Sequence, residues 1–178
     1  MSYTSLKKIN KIYVEQSRIP NAGLGVFTNI FIKKHEIITQ YEGNIVTPLQ
    51  FELLLQQKNR EALMYSLEIP DSENIMVGKT YKIKNMQKCG QYINDVSGIF
   101  TKRFDYTQGL QYLDSIDKTN CYIIHQNQNV YIAASRDIEA HQELYLHYGY
   151  GYWTYGMELA EEDMDAYLRT LHEGGVSS

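Results

Sequence analysis

The sequence predicts a mainly β fold with a few short helices, and three observations predict it. Short runs rich in Ile, Val, Thr and Tyr recur along the 178-residue chain, bounded by Gly, Pro, Asn or Asp. Only a few segments carry a helical signature, and two of them are substantial: one opening at Thr47 and one over Met157–Leu171. No repeat, low-complexity block or Pro/Ser-rich linker divides the chain, so one domain with its own core is expected.

The elements follow in order. Lys11–Glu15 reads as a strand, Ile19–Gly25 as a turn region broken by Pro20, Asn21, Gly23 and Gly25, and Val26–Thr28 and Glu36–Tyr41 as further strands. Thr47-Pro48-Leu49-Gln50 opens a helix: Thr47 suits the N-cap, Pro48 the first helical position, and Gln50 closes a capping box. That helix is expected to end near Ala62. Met64–Ile69 and Ile75–Val77 read as strands, and Asn85–Tyr92 as a helical turn. From there to Thr119 the signal is mixed, with breaks at Gly98 and Gly109. Cys121–His125 and Val130–Ala134 pair across the polar loop Gln126-Asn127-Gln128-Asn129. Glu143–Tyr148 is the last strand. In the terminal helix, Ala160, Met164, Tyr167, Leu168 and Leu171 share one face.

Bulk composition excludes several classes. Hydrophobic residues make up 43% and charged residues 21%, ordinary for a soluble globular protein. A net charge of −4 gives no support for nucleic-acid binding through overall charge. No apolar run is long enough for a membrane span, and no secretory signal follows Met1. Two cysteines, Cys89 and Cys121, cannot build a disulfide scaffold or a four-thiolate zinc site, and both are expected to be reduced.

Four segments carry the chemistry. In Glu143–Trp153 a strand ends at Tyr148 and breaks at Gly149, which can hold a phenol rigidly at the mouth of a cavity. Gln40-Tyr41-Glu42-Gly43 repeats that arrangement. Gly23-Leu24-Gly25-Val26-Phe27 allows a close backbone approach to a ligand, or is simply a tight turn. It lacks the third glycine and the helix of a dinucleotide-binding loop. In Gln91-Tyr92-Ile93-Asn94-Asp95-Val96, Asn94 is a ligand group or a plain cap.

Together these segments, in this order, resemble the SET-domain family of protein-lysine methyltransferases. The family's G-x-G followed by an aromatic is matched by Gly23, Gly25 and Phe27. Its strand-end tyrosine before a glycine is matched by Tyr41, its (R)-(F/Y)-(I/L/V)-N-H-S motif by Gln91 to Val96 with Asn94 on the Asn, and its E-(E)-L-x-x-x-Y-G motif by Glu143 to Gly149. The resemblance runs from about Val14 to Trp153.

It implies a β-clip fold of several small sheets, a pseudoknot-like motif around the active site and a C-terminal helix. It divides the chain into a SET domain over 1–153, with an insertion over 97–118, and a helical segment over 154–178 packing on it. It implies S-adenosyl-L-methionine as cofactor, bound near Leu24, Gly25, Asn94, Asp95, Tyr148 and Trp153, the last packing on the adenine. Tyr148 and Tyr41 would be the catalytic pair, and Tyr41, Tyr122, Leu146 and Tyr150 would line the lysine channel. No metal and no dedicated base are implied. Leu146 stands where a tyrosine favours low methylation in the family, so more than one methyl is expected unless Tyr122 fills the space. The implied partner is a lysine-containing protein, with a histone tail as one candidate. The implied setting is intracellular, nuclear for a histone substrate and otherwise cytoplasmic.

The sequence also departs from the pattern. Asp95 replaces the usual His, Gln91 a common Arg, and His147 precedes Tyr148 where Asp or a small residue is usual. Gly98–Lys118 separates Asn94 from Asn120-Cys121 and either shapes a peptide groove or is a solvated excursion. The zinc-binding cysteines that follow the domain in many members are missing. The acidic residues Glu158, Glu161, Glu162, Asp163 and Asp165 form a solvated face or attract a basic peptide. A second reading therefore stands beside the enzyme: a catalytically inactive SET-like module that binds a peptide or partner.

Overall fold

The computed structural model describes residues 10–20, 22–69, 72–79, 88–97, 106–126 and 128–149. The expected terminal helix lies outside them, as do Tyr150 and Trp153.

The described chain folds into four small sheets. Strands β1 (Ile12–Gln16) and β2 (Leu24–Thr28) form an antiparallel pair, with Ile12 opposite Thr28 and Gln16 opposite Leu24. Strand β3 (Ile37–Tyr41) leads into β4 (Gly43–Val46), a strand the sequence reading did not pick out. Strand β4 joins β5 (Ser66–Glu68) and β6 (Ile75–Gly78) in a sheet with β6 at its centre. The very short β7 (Asn94–Asp95) is described below with its partner. Strands β8 (Cys121–Gln126) and β9 (Asn129–Ala134) form the expected hairpin, and β3 adds to the free edge of β9. Gln128 takes φ 63° to close that hairpin.

The helix opening at Thr47 has the expected start. Gln50 N–H donates to Thr47 Oγ1, and Thr47 N–H donates back to Gln50 Oε1 at 2.9 Å, a complete capping box. It does not run through to Ala62. Helix α1 (Pro48–Gln56) stops where Lys58 adopts φ 55°, and Asn59 then caps α2 (Arg60–Met64) by accepting from Ala62 N–H at 2.9 Å. The Asn59 side chain competes for backbone donors and starts a new helix rather than continuing the old one. A further helix, α3 (Tyr106–Ser115), lies in the stretch of mixed signal, where Gly109 obscured its pattern. It continues as a 3-10 turn, Ile116–Lys118.

The core is shared between sheets. Ile12 and Val26 from the first sheet meet Ile38 and Ile132 from the third, with Ile32, Ile93, Ile138, Leu144 and Leu146 filling between them. Each fully buried aliphatic side chain of this kind contributes about 1.5–3 kcal/mol. No sheet here is large enough to bury a face by itself. The sheets are held by one another and by the chain segments threaded between them.

The last of those segments departs from expectation. In place of a strand over Glu143–Tyr148, regular pairing is confined to β10 (Tyr145–Leu146), which lies parallel to β7. Before β10 the chain lies along β2, with Leu144 N–H donating to Val26 O at 2.8 Å. Asn120 then takes over: its Nδ2 donates to Glu143 O at 2.8 Å and its Oδ1 accepts from Tyr145 N–H at 2.7 Å. Side-chain groups satisfy backbone that a longer strand would have paired.

Candidate active site

A narrow cavity of about 70 Å³ opens where β3, the α2–β5 region, β8 and the end of β10 converge. Tyr41, Tyr65, Ile93, Ile123, Leu146 and Tyr148 contribute to its lining. The two tyrosines singled out in the sequence ahead of a glycine, Tyr41 and Tyr148, are therefore at the same cavity.

Each phenol is fixed by a backbone carbonyl. Tyr148 Oη donates to Ile93 O at 2.7 Å, and its ring packs on the core. Tyr41 Oη donates to Tyr65 O at 2.9 Å. Gly78 makes room for the second contact, since a Cβ there would stand 2.9 Å from Tyr41 Oη. Gly149 adopts φ +85°, so the chain does turn at a glycine directly after Tyr148.

The glycine-rich segment and the Asn segment meet. Asn94 Nδ2 donates to Leu24 O at 2.9 Å, and Asn94 Oδ1 has no partner among the described residues. Leu24 beside it is 47% exposed. Asp95 is 1% exposed, and its carboxylate holds two backbone donors: Ser97 N–H at 2.7 Å and Tyr148 N–H at 2.6 Å. The residue that replaces the expected His is thus a clamp on the segment carrying Tyr148. Gln91, in place of an Arg, is buried and bridges backbone instead, donating to Lys79 O at 2.8 Å.

Tyr122 is a correction. Side chains alternate along a strand, so on β8 Ile123 faces the cavity while Tyr122 points elsewhere. The Tyr122 hydroxyl lies 3.2 Å from His35 Nδ1. Leu146 is buried and lines the cavity wall.

Two residues gain roles that the sequence reading missed. Glu143 is 2% exposed and accepts from Ser17 Oγ at 2.6 Å, Arg18 N–H at 2.8 Å and Tyr145 Oη at 3.0 Å. Its carboxylate presses on Gly25: a Cβ at that position would stand 2.3 Å from Glu143 Oε1. Glu143 shapes the loop leading into β2, and Gly25 is required for that fit. The second is Tyr112 on α3, whose hydroxyl lies 3.3 Å from His147 Nδ1 with ring centroids 4.4 Å apart. The inserted segment therefore reaches the cavity wall, since His147 is part of the lining. Neither role left a signal beyond the Glu143-Leu144 pair of the last motif and an isolated tyrosine.

Burial governs the titrating groups. It pushes the Cys89 thiol up to about 11 and the Cys121 thiol up to about 12, so both stay protonated. It lowers His147, with the Asp95 charge acting in the opposite direction. Among the described residues, no cluster of three His, Cys, Asp or Glu could hold a metal.

A SET domain family model matches residues 23–149, which span three of the four segments whole and the last as far as Gly149. The chain belongs to the SET domain family. Among solved structures, this SET domain is similar to the polycomb repressive complex 2 of Chaetomium thermophilum. Its crystal structure aligns at 18% identity with a TM-score of 0.50, covering 78% of this chain and 15% of that chain. A form of the complex described as autoinhibited and bound to S-adenosylmethionine aligns at 18% identity with a TM-score of 0.49, covering 79% and 15%. At such identity the likeness is one of fold. No curated protein matches the SET domain in sequence.

Proposed function

We propose that this SET domain is an S-adenosylmethionine-dependent protein-lysine N-methyltransferase. The observation that carries the reading is the fixed pair of phenols, Tyr148 and Tyr41, at one narrow cavity beside the joined Leu24 and Asn94 segments.

The residues present fit the cofactor. With no partner among the described residues, Asn94 Oδ1 would accept from an ammonium group. Exposed Leu24, following Gly23 with nothing within 4 Å of its Cβ position, leaves space for a ligand against the backbone. When bound, S-adenosylmethionine supplies an electrophilic methyl group.

The chain's own residues would do the rest. Tyr148 donates its only hydroxyl proton to Ile93 O, which fixes the phenol and leaves its oxygen lone pairs as an oriented dipole for electropositive groups. Tyr41 and Leu146 would confine the lysine side chain, an orientation effect. The largely apolar wall disfavours an ammonium, so the ordinary lysine pKa of about 10.4 would fall toward the neutral nucleophile. The released proton would pass to solvent, with no dedicated base required.

The substrate is a protein lysine, and a histone tail is one candidate. Such an enzyme would work inside the cell, in the nucleus for a histone and otherwise in the cytoplasm. Methyl-labelled S-adenosylmethionine, offered with histones and with a whole-cell lysate, tests the reading. Label in a protein lysine, identified by mass spectrometry, is the expected result. Cofactor binding by calorimetry with no transfer to any lysine would instead make the chain an inactive binding module.

A further inference from the structure

A second concavity lies apart from the tyrosine-lined cavity. It is an open bay of about 440 Å³, with Arg18, Val96, Lys118, Asn120, Arg136 and Tyr145 in its lining. That volume falls in the range of small-molecule sites, about 300–1,000 Å³. Strand β10 divides the two spaces: Tyr145 lines the bay, and the next residue, Leu146, lines the cavity. Leu24, Asn94 and Tyr148 do not line the bay, so it is separate from the residues assigned to the cofactor. The inserted segment builds part of it, because Lys118 ends the 3-10 turn that follows α3.

Three cations converge there, and none forms an ion pair among the described residues. Both arginines are aimed by neutral groups. Arg136 donates through Nη1 to Asp117 O at 3.3 Å and through Nη2 to Lys118 O at 3.0 Å. Arg18 donates through Nη2 to His141 O at 3.0 Å, and its guanidinium stands 5.3 Å from the centre of the Phe27 ring. These contacts fix the direction of each guanidinium and leave its charge unmatched. Two carboxylates share the bay. Glu143 is 2% exposed and already accepts from Ser17 Oγ, Arg18 N–H and Tyr145 Oη. Asp117 is exposed, where solvent and salt screen it. The bay therefore carries one positive charge in excess, in a chain whose net charge is −4.

We infer that this bay binds a small molecule that joins a phosphate group to an apolar or aromatic body. Pre-aimed guanidinium forks match the oxygens of a phosphate, and Lys118 adds a point charge. A concave, one-signed site also concentrates its field on an incoming anion. Ile19, Val96 and the Tyr145 ring supply an apolar wall for the rest of the ligand. The inference stands independently of the methyltransferase reading.

Calorimetric titration of the whole chain with phenyl phosphate tests it, with phenol as the uncharged control. One saturable site is expected for phenyl phosphate, weakening as salt is added, and none for phenol. Arg18→Gln and Arg136→Gln should each lower affinity by about tenfold or more, the scale of a hydrogen bond to a charged group. Lys118→Gln, which removes no hydrogen bond of the fold, should lower it by about two- to fivefold, the scale of an exposed charge pair. Lys58→Gln, outside the bay, should leave it unchanged. Amide resonances of Val96, Asn120 and Tyr145 should shift on titration while those of Leu24 and Asn94 stay in place. Saturating S-adenosylmethionine should not change the affinity. If the arginine variants fail to melt cooperatively, the Lys118→Gln affinity and the resonance shifts decide. Absence of saturable binding would overturn the inference, as would wild-type affinity in Lys118→Gln together with unmoved resonances at the bay. Displacement of phenyl phosphate by S-adenosylmethionine would overturn it too, by assigning the anion to the cofactor site. A single-stranded DNA oligomer bound more than about a hundredfold tighter, through the same arginines, would replace the small molecule with a nucleic-acid backbone.

Discussion

The Asp95 carboxylate holds the backbone of Tyr148: Oδ2 accepts the Tyr148 N–H at 2.6 Å while Oδ1 accepts that of Ser97 at 2.7 Å. A change in the fixed group at β7 is therefore felt at the cavity. Asp95→Asn keeps the size but turns an NH₂ group toward one of two backbone donors. It should lower stability by about 1.5–3 kcal/mol, the range for a hydrogen bond to a charged group. Urea denaturation measures this, and an unchanged midpoint would show that the clamp carries no stability.

Tyr148→Phe keeps the ring that packs on the core and removes only the hydroxyl that Ile93 O receives. The expected stability loss is about 1 kcal/mol. The expected loss of methyl transfer is about 10²–10³-fold, the scale of one pre-oriented dipole at a reacting centre. Transfer at the wild-type rate would remove Tyr148 from the chemistry.

Gly23, just before β2, and Gly25, inside it, should respond differently to alanine. At Gly25 the new methyl group meets Glu143 Oε1 at 2.3 Å and Ser17 Cα at 3.3 Å, so overpacking of about 1–3 kcal/mol is expected. At Gly23 nothing lies within 4 Å, and only the strain of φ +75° remains, about 1–2 kcal/mol. Thermal melts of both variants should rank Gly25→Ala as the less stable. The reverse order would mean that Glu143 can move aside.

Leu146 and the departure of Tyr122 leave the cavity without a tyrosine at the position that restricts methylation in the family. Product spectra under excess cofactor should show more than one methyl per lysine. Leu146→Tyr, at a site only 3% exposed, should stop the reaction at one. A wild-type product that stops at one methyl would reject this account of cavity width.

Much of this arrangement was legible in the sequence, because it rests on local rules. Thr47, Pro48 and Gln50 form their capping box by adjacency alone, and the Cys121–Ala134 hairpin follows from two apolar runs around a polar loop. Tyr41 declared itself through a strand end, and Tyr148 and Gly149 through an apolar run that breaks at glycine. What stayed hidden depends on partners far away in sequence. Asp95 looked like a bare departure from the family pattern until Tyr148 supplied its donor, and Glu143 looked like a motif letter until Ser17 and Gly25 closed around it. Tyr122 was misassigned because composition gives a strand residue's type but not its face. Helix α3 was masked by Gly109, and its value lies in Tyr112, which means nothing until His147 is beside it.

Burial lowers both His125 and His147 from the ordinary 6.5. The unfolded chain therefore binds more protons than the folded one below that value, and stability rises with pH through the window. Stability should be fullest above pH 6.5 and fall as pH drops toward the lower folded-state values. Denaturation midpoints collected between these limits should fall with acidity, and less so in a His125→Gln, His147→Gln double variant. A pH-independent midpoint would show that neither ring is desolvated.

The contact between Ser17 and Glu143 joins positions 126 residues apart. Contacts of such range are slow to form, because the loop must close before any pairing rewards it. At a synthesis rate of 5–20 residues per second, Glu143 leaves the ribosome roughly 6–25 s after Ser17. Until then the loop before β2 has no carboxylate to wrap around, and the Asn94–Asp95 strand has no neighbour. The cavity is consequently among the last features of the nascent chain to mature. Any factor that delays release, or any nick between Asp95 and Asn120, should abolish ligand binding before it unravels the hairpin of β8 and β9.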